Sequence, residues 1–349
     1  MTNSKLSSAI VRVVERVSVS LGTRKSLLSR MWHRFFSSLT GEYLWFYLLL
    51  IPSILLLILV VIIPMVFAFR MSLGNTMVTI LGGKGNLSMQ WVGLQNYIQI
   101  LQDPNFWQAF RDTLYFTVVS LLVEVTVGVG LAVLMNQQFF GRKIFRVIVF
   151  IPWAIPTIVN AMLWGMVFDG DNYGALNDIL LQLHLISSPI VWLNPSPLFT
   201  NIPWLSNFMT WMGGSVAMNS MIVGDEWRTL PIVAVLLLAG LQTIPNEYYE
   251  AARVEGASAW RQFRAITFPL LGPIMSIVLI LRTMQLLRAF TLIFTLQQYG
   301  LPTLSINAYQ QAFSFGNFGS GSAISFLIGI LSLLIAVVYI NRLYKEEMS

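Results

Sequence analysis

The sequence predicts an all-α integral membrane protein with six transmembrane helices, and three observations carry that prediction. Of 349 residues, 56% are hydrophobic and only 10% are charged, with a mean hydropathy of +0.70. That is too apolar for a soluble domain, whose surface needs many charged side chains. The apolar residues also fall in six blocks, each long enough at about 1.5 Å of rise per residue to cross about 30 Å of hydrocarbon. Finally, Lys and Arg gather on one side of those blocks. A soluble helical protein would have to hide six such stripes in one core. Within lipid, irregular backbone is excluded by the cost of unpaired N–H and C=O groups, and the blocks are far too long for barrel strands.

Taken in order, residues 1–43 read as a cytoplasmic basic segment. Its stretch Ile10–Val17 suits either an interfacial helix on the inner leaflet or a basic tail, and its β-branched residues weaken the helical reading. The first apolar block comes too late for a signal peptide, and no small-residue cleavage site follows it. Span one is Leu44–Phe69, without a charge. Residues 70–112 are external, with an aromatic, turn-rich centre at Trp91–Tyr97, and are expected to fold against the outer helix ends. Spans two and three cover roughly Thr113–Met135 and Val147–Phe168. The external stretch 169–214 has no Lys or Arg but several Pro and Trp residues; it suits a headgroup-level surface or a docking surface for an external partner. Span four is Ser215–Gly240, span five Leu271–Leu296 and span six Gly321–Ile340, so that a transmembrane domain at 44–340 precedes a cytoplasmic tail at 341–349.

With the N-terminus inside, 15 of the 21 Lys and Arg residues fall on the cytoplasmic side and three, Arg70, Lys84 and Arg111, on the other. The positive-inside rule therefore places both termini in the cytoplasm. The net charge of +6 reflects this topology and needs no nucleic acid to explain it. The absence of cysteine excludes disulfides and thiolate metal sites, and the residues suggest no other metal site.

The cytoplasmic loop 241–270 carries the most local information. Pro245 can open a helix that Asn246 or Thr243 caps, and Glu247 and Glu250 favour its positive end. Ala251 and Ala252 are strong helix formers with little bulk. Gly256 permits a sharp bend or a close backbone approach, and Trp260, Phe263 and Ile266 have helical spacing for a second short helix. Helix, bend and helix suit a rigid lever pressed by a soluble partner, or a connecting loop alone.

Here the sequence resembles a known family. Glu250-Ala251-Ala252, three residues, Gly256, nine residues, then Ile266 and Phe268-Pro269 is similar to the EAA signature of importer permeases in the ATP-binding-cassette (ABC) superfamily, with Phe268 where Leu is usual. Trp91–Tyr97, Phe145-Arg146 with Ile151–Pro156, and Leu238–Pro245 resemble the sugar-importer branch that contains the maltose and glycerol-phosphate permeases. Glu255-Gly256-Ala257 replaces the commoner Asp-Gly-Ala. The likeness runs from about residue 44 to 340. It implies the type I ABC importer permease fold in a prokaryotic cell membrane. It also implies a second homologous permease subunit, two cytoplasmic ATPase subunits and an external solute-binding protein. By position, Glu250, Ala251, Ala252 and Gly256 are then the ATPase-coupling residues, with Trp260 and Phe263 behind them. No Gly-rich phosphate loop ending in Gly-Lys-Ser or Gly-Lys-Thr occurs. The chain is therefore expected to be non-catalytic and to hold no cofactor, with ATP and Mg bound by the partner ATPases.

Polar residues inside the spans are costly and should face one another or an aqueous path. Span two carries Glu124; span four carries Asp225-Glu226-Trp227-Arg228-Thr229; span five carries Arg282, Gln285 and Arg288. Asp225, Arg228 and Thr229 share a helical face, as do Arg282, Gln285 and Arg288. One reading pairs Asp225 or Glu226 with Arg282 or Arg288 to fix the helices together; another makes these residues hydrogen-bonding groups for a hydroxyl-rich solute, with Trp227 stacking on a sugar ring; a third assigns them to gating. The resemblance to the maltose permease puts its sugar-contacting positions at Asp225 and Thr229 and at Arg282 and Leu286. This chain has charges there where that permease has neutral polar groups. The function expected is half of the pathway for ATP-driven import of a carbohydrate or polyol. The alternatives are a permease for a non-sugar solute and an ion-coupled secondary transporter; the absence of an inverted repeat of broken helices disfavours the latter.

Overall fold

The computed structural model describes residues 44–81, 84–171 and 174–347; the basic N-terminal segment lies outside them. The chain forms two compact units, residues 1–67 and 68–349. In the first unit, α1 (Leu44–Leu57) runs through a π-helical turn at Ile58–Ile62 into α2 (Ile63–Ser72), whose residues from 68 onward belong to the second unit. Every side chain from residue 48 to 67 is exposed, as an apolar helix with no polar face allows in a medium of low polarity.

In the second unit, residues 73–102 hold the one sheet among the described residues. Strands β1 (Gly74–Leu81) and β2 (Lys84–Trp91) form an antiparallel hairpin in register from Gly74 opposite Trp91 to Leu81 opposite Lys84. Gly93, at φ 62°, turns the chain into α3 (Gln95–Gln102). The buried Asn96 donates to the carbonyls of Ser72 and Gly74 at 2.9 and 3.0 Å, so the Trp91–Tyr97 stretch fastens the hairpin to the end of α2.

The second span begins earlier than predicted. Helix α4 runs Pro104–Asn136 because Asp103 caps it, accepting from the Asn105 amide at 2.9 Å, and Pro104 is pre-set for a first helical position. The third predicted span is broken. Helix α5 (Arg142–Phe150) passes through a 3₁₀ turn at Ile151–Ala154 into α6 (Thr157–Val167), with a 97° bend between Pro152 and Pro156. The stretch 169–214 contains α7 (Ala175–Gln182) and α8 (Pro203–Trp211). Buried Asn177 orders it by donating to Asp169 O and Ile190 O and accepting from Ile190 N and Trp192 Nε1.

Helix α9 (Val216–Leu241) starts at Ser215, whose hydroxyl accepts from Met218 N. It lies along α4 so closely that a Cβ at Gly128 would stand 3.0 Å from Val233 Cγ1. The loop 241–270 forms α10 (Asn246–Val254), α11 (Ala259–Gln262) and the single turn α12 (Phe268–Leu270). Span five is α13 (Gly272–Leu286) and α14 (Thr291–Gln297), separated by four non-helical residues. After α15 (Leu304–Tyr309), α16 (Phe318–Glu347) carries span six on through most of the predicted tail.

Among the described residues, four helical stretches are long and apolar enough to cross a membrane: Leu48–Ser72, Pro104–Asn136, Gly272–Gln297 and Phe318–Asn341. Two bent pairs, Arg142–Ala154 with Thr157–Val167 and Val216–Leu241 with Asn246–Val254, bring the number to six when each counts as one span. The long helices α4, α9 and α13 pack into two separate apolar cores. One holds Phe116, Met218, Met221, Leu286 and Ile293; the other holds Ala132, Val233, Leu237, Leu271 and Met275. Glu124, residues 225–229 and Arg282 fall between the two cores on all three helices.

Candidate functional site

Arg282 is the centre of the polar layer. It is 7% exposed, and Glu124 is 1% exposed. Its Nε donates to Glu124 Oε1 at 2.5 Å, Nη1 to Gln285 Oε1 at 2.6 Å, and Nη2 to Asp225 Oδ2 at 3.3 Å and Thr229 Oγ1 at 3.2 Å. One guanidinium thus joins α4, α9 and α13 through charge-assisted bonds, which its planar fork of five donors suits. The Thr229 hydroxyl donates to the Asp225 carbonyl at 2.8 Å, holding its oxygen toward Arg282. Asp225 also faces Arg228, with Nη2 3.7 Å from Oδ1. Of the pairings read from the sequence, Asp225 with Arg282 is present; the closest partner of Arg282 is Glu124.

A cavity of ≈ 470 Å³ opens beside this layer, lined by Asp225, Arg228, Thr229, Arg282, Gln285 and Leu286 among others. The face shared by Asp225, Arg228 and Thr229 therefore lines one space with the start of the span-five face. Trp153 and Thr157 line it too, and sequence reasoning did not name them as site residues. The available signal was Pro152 and Pro156, which break the third span and leave Trp153 on a 3₁₀ turn. Three predicted residues lie elsewhere. Trp227 points to the other side of α9 and meets Trp164 edge-on, with centroids 6.0 Å apart. Glu226 is buried, with no hydrogen-bond partner for either carboxylate oxygen. Arg288 lies beyond the end of α13, its Nε bonded to Met284 O at 3.0 Å, and lines a second cavity of ≈ 560 Å³ with Tyr309, Phe313 and Phe318. The single face expected for Arg282, Gln285 and Arg288 ends where the helix breaks. Among the described residues no group of three or more His, Cys, Asp or Glu side chains is placed to hold a metal ion.

In the loop 241–270, α10 starts at Pro245 without a side-chain cap; the Thr243 hydroxyl bonds back to Gly240 O at 2.8 Å, and Asn246 is the first helical residue. Gly256 stops the helix at φ 77°, with its N–H on Arg253 O and the Ala257 N–H on Ala252 O, the left-handed closure that glycine favours. Nothing lies within 4 Å of a Cβ built there, so the need for glycine is conformational and not one of close approach. Glu250, Ala251 and Gly256 are exposed and Ala252 is half-buried. Trp260 is 70% exposed and stacks on Phe263, with centroids 5.6 Å apart. Only Phe263 and Ile266 of the predicted face reach the core, so the loop presents Tyr248, Val254 and Trp260 outward.

Residues 124–345 match the model of the binding-protein-dependent transport system inner membrane component family. The chain belongs to that family. It is accordingly a permease component of a binding-protein-dependent ABC importer and a multi-pass membrane protein of a multi-subunit complex. It is 35% identical over 299 residues to the trehalose/maltose transport system permease protein of Thermococcus litoralis, covering 84% of this chain and 92% of that one. It is 31% identical to the sulfoquinovosyl glycerol transport system permease protein of Agrobacterium fabrum, covering 88% and 92%. In fold it is similar to the crystal structure of a bacterial ABC transporter involved in the import of the acidic polysaccharide alginate. That match has a TM-score of 0.72 at 20% identity, over 89% of this chain and 99% of the other.

Proposed function

We propose that this permease forms half of the pathway through which a carbohydrate or polyol, delivered by an external binding protein, is imported, and that the cavity beside Arg282 is where the solute passes. The observation that carries the reading is the composition of that wall. Asp225 and Arg228 offer an acceptor and a donor to hydroxyl groups, while Trp153 offers an aromatic face to the apolar C–H face of a sugar ring. The solutes after which two relatives are named, trehalose/maltose and sulfoquinovosyl glycerol, support a sugar-like solute. A second homologous permease supplies the other half of the wall.

Two cytoplasmic ATPase subunits bind ATP and Mg and receive the coupling loop. Glu250, Ala251, Ala252 and Gly256 form the docking lever, and the exposed Trp260, stacked on Phe263, extends its apolar surface. Both termini lie in the cytoplasm, as the distribution of Lys and Arg requires. ATP binding draws the two levers together and shifts the helices toward an outward-facing state; hydrolysis resets them. The free energy of ATP binding supplies the difference between the two states. The test is uptake of radiolabelled mono- and disaccharides, polyols and amino acids by cells with and without the gene. Loss of sugar or polyol uptake alone is expected; loss of amino acid uptake alone overturns the carbohydrate reading.

A further inference from the structure

Three acid groups and two cations meet between the apolar cores, and besides Arg228 Nε, four polar atoms of Ser120, Glu124 and Glu226 have no hydrogen-bond partner. Glu124 spends Oε1 on Arg282, but its Oε2 receives no hydrogen bond. Both oxygens of Glu226 and the hydroxyl of Ser120 are likewise unbonded and buried. Ser120 and Glu124 lie one turn apart on α4 and face Glu226 on α9. Ser120 is 0%, Glu124 1% and Glu226 3% exposed, so water does not complete these bonds from outside.

We propose that Glu226 is held as a neutral carboxylic acid that donates its proton to Glu124 Oε2 and accepts from the Ser120 hydroxyl, and so positions Glu124 against Arg282. One proton closes the whole set. Without it, three acceptor oxygens share one hydroxyl donor, and two buried carboxylates stand side by side, an arrangement in which only one ionises. The charge count agrees. The groups facing Glu226 are Ser120 and Glu124 from α4, Asp225 from its own helix, and Arg282 from α13, with Arg228 beside Asp225. Glu124 and Asp225 already balance Arg228 and Arg282, so an ionised Glu226 would leave an uncompensated charge between two apolar cores. Glu226 is then a positioning residue that touches no solute and acts through Glu124. Its influence on transport rests on the reading of the Arg282 cavity as the pathway; its proton does not.

The experiment compares the wild-type complex with Glu226→Gln and Glu226→Leu. Infrared difference spectra of the purified complex at neutral pH are expected to show the C=O stretch of a protonated acid, shifted in D₂O, in wild type and not in Glu226→Gln. Because Gln keeps a donor and an acceptor without charge, uptake and thermal stability should stay within about twofold of wild type, whereas Leu, which keeps neither, should lower uptake by more than about tenfold. Absence of the band, or failure of Glu226→Gln to assemble or to outperform Glu226→Leu in stability, overturns the proposal. So does wild-type stability that depends on Na⁺ or K⁺ when choline replaces them, since a cation would then fill the site. A band lost in Glu226→Gln with stability ordered as expected, but uptake equal in all three proteins, upholds the proton and refutes the pathway reading.

Discussion

Replacing Arg282 by Met removes the guanidinium that joins three helices and leaves two acids behind. Met fits the space of the aliphatic stem but supplies no donor, so Glu124, 1% exposed and bonded at 2.5 Å, loses its only closed hydrogen bond. Breaking a buried pair from one side costs about 3–5 kcal/mol, chiefly because the remaining charge is stranded. Asp225 loses less. Its contact is longer, at 3.3 Å, its side chain is 13% exposed, and Arg228 remains nearby. The structure therefore ranks the two rescues. Glu124→Gln combined with Arg282→Met should recover much of the lost stability, with a coupling of about 1–3 kcal/mol, and Asp225→Asn combined with Arg282→Met much less. Thermal unfolding of the detergent-solubilised complex, at fixed subunit concentration, measures both. Uptake is expected to remain low in both double variants because the cavity wall has lost one of its two cations. Equal rescue by the two acid substitutions, or a wild-type melting temperature in Arg282→Met, refutes the reasoning.

Three other perturbations probe separate parts of the chain. At Gly256 the left-handed backbone costs a side chain about 1–2 kcal/mol although there is open space around it. Gly256→Leu should insert normally yet lower solute uptake and ATPase stimulation together, with Gly256→Asn less affected; undiminished uptake and stimulation in Gly256→Leu would count against a lever. Trp153→Ala should raise the KM for uptake several-fold, up to about tenfold, at unchanged membrane abundance, and Trp227→Ala should not; the reverse order would move the pathway to the other side of α9. Asn177→Ala should open the stretch 169–214 by removing bonds worth about 1–3 kcal/mol in total, seen as faster protease cleavage between those residues in the purified complex, and an unchanged cleavage rate would deny Asn177 its ordering role.

The sequence alone determined which segments are apolar long enough to span, because 1.5 Å of rise per residue leaves little choice of length. It also singled out the polar residues at mid-span, since their cost in an apolar setting does not depend on knowing their partners. The grouping of Asp225, Arg228 and Thr229 was legible for the same local reason: residues three and four apart share a face of one helix. Which face of another helix meets them is not a local property. Glu124 lies 158 residues from Arg282, and only the close approach of α4, α9 and α13 makes it the nearest partner. Trp153 reached the cavity and Arg288 left it because helices broke at Pro152–Pro156 and after Leu286. Proline announced the first break in the sequence, whereas the second lacks such a residue. The hairpin at residues 74–91 was equally hidden, because strand pairing depends on contacts between segments that local composition does not specify. Gly256 marked a bend in either view, but its surroundings in space decided that backbone conformation, and not crowding, is what requires it there.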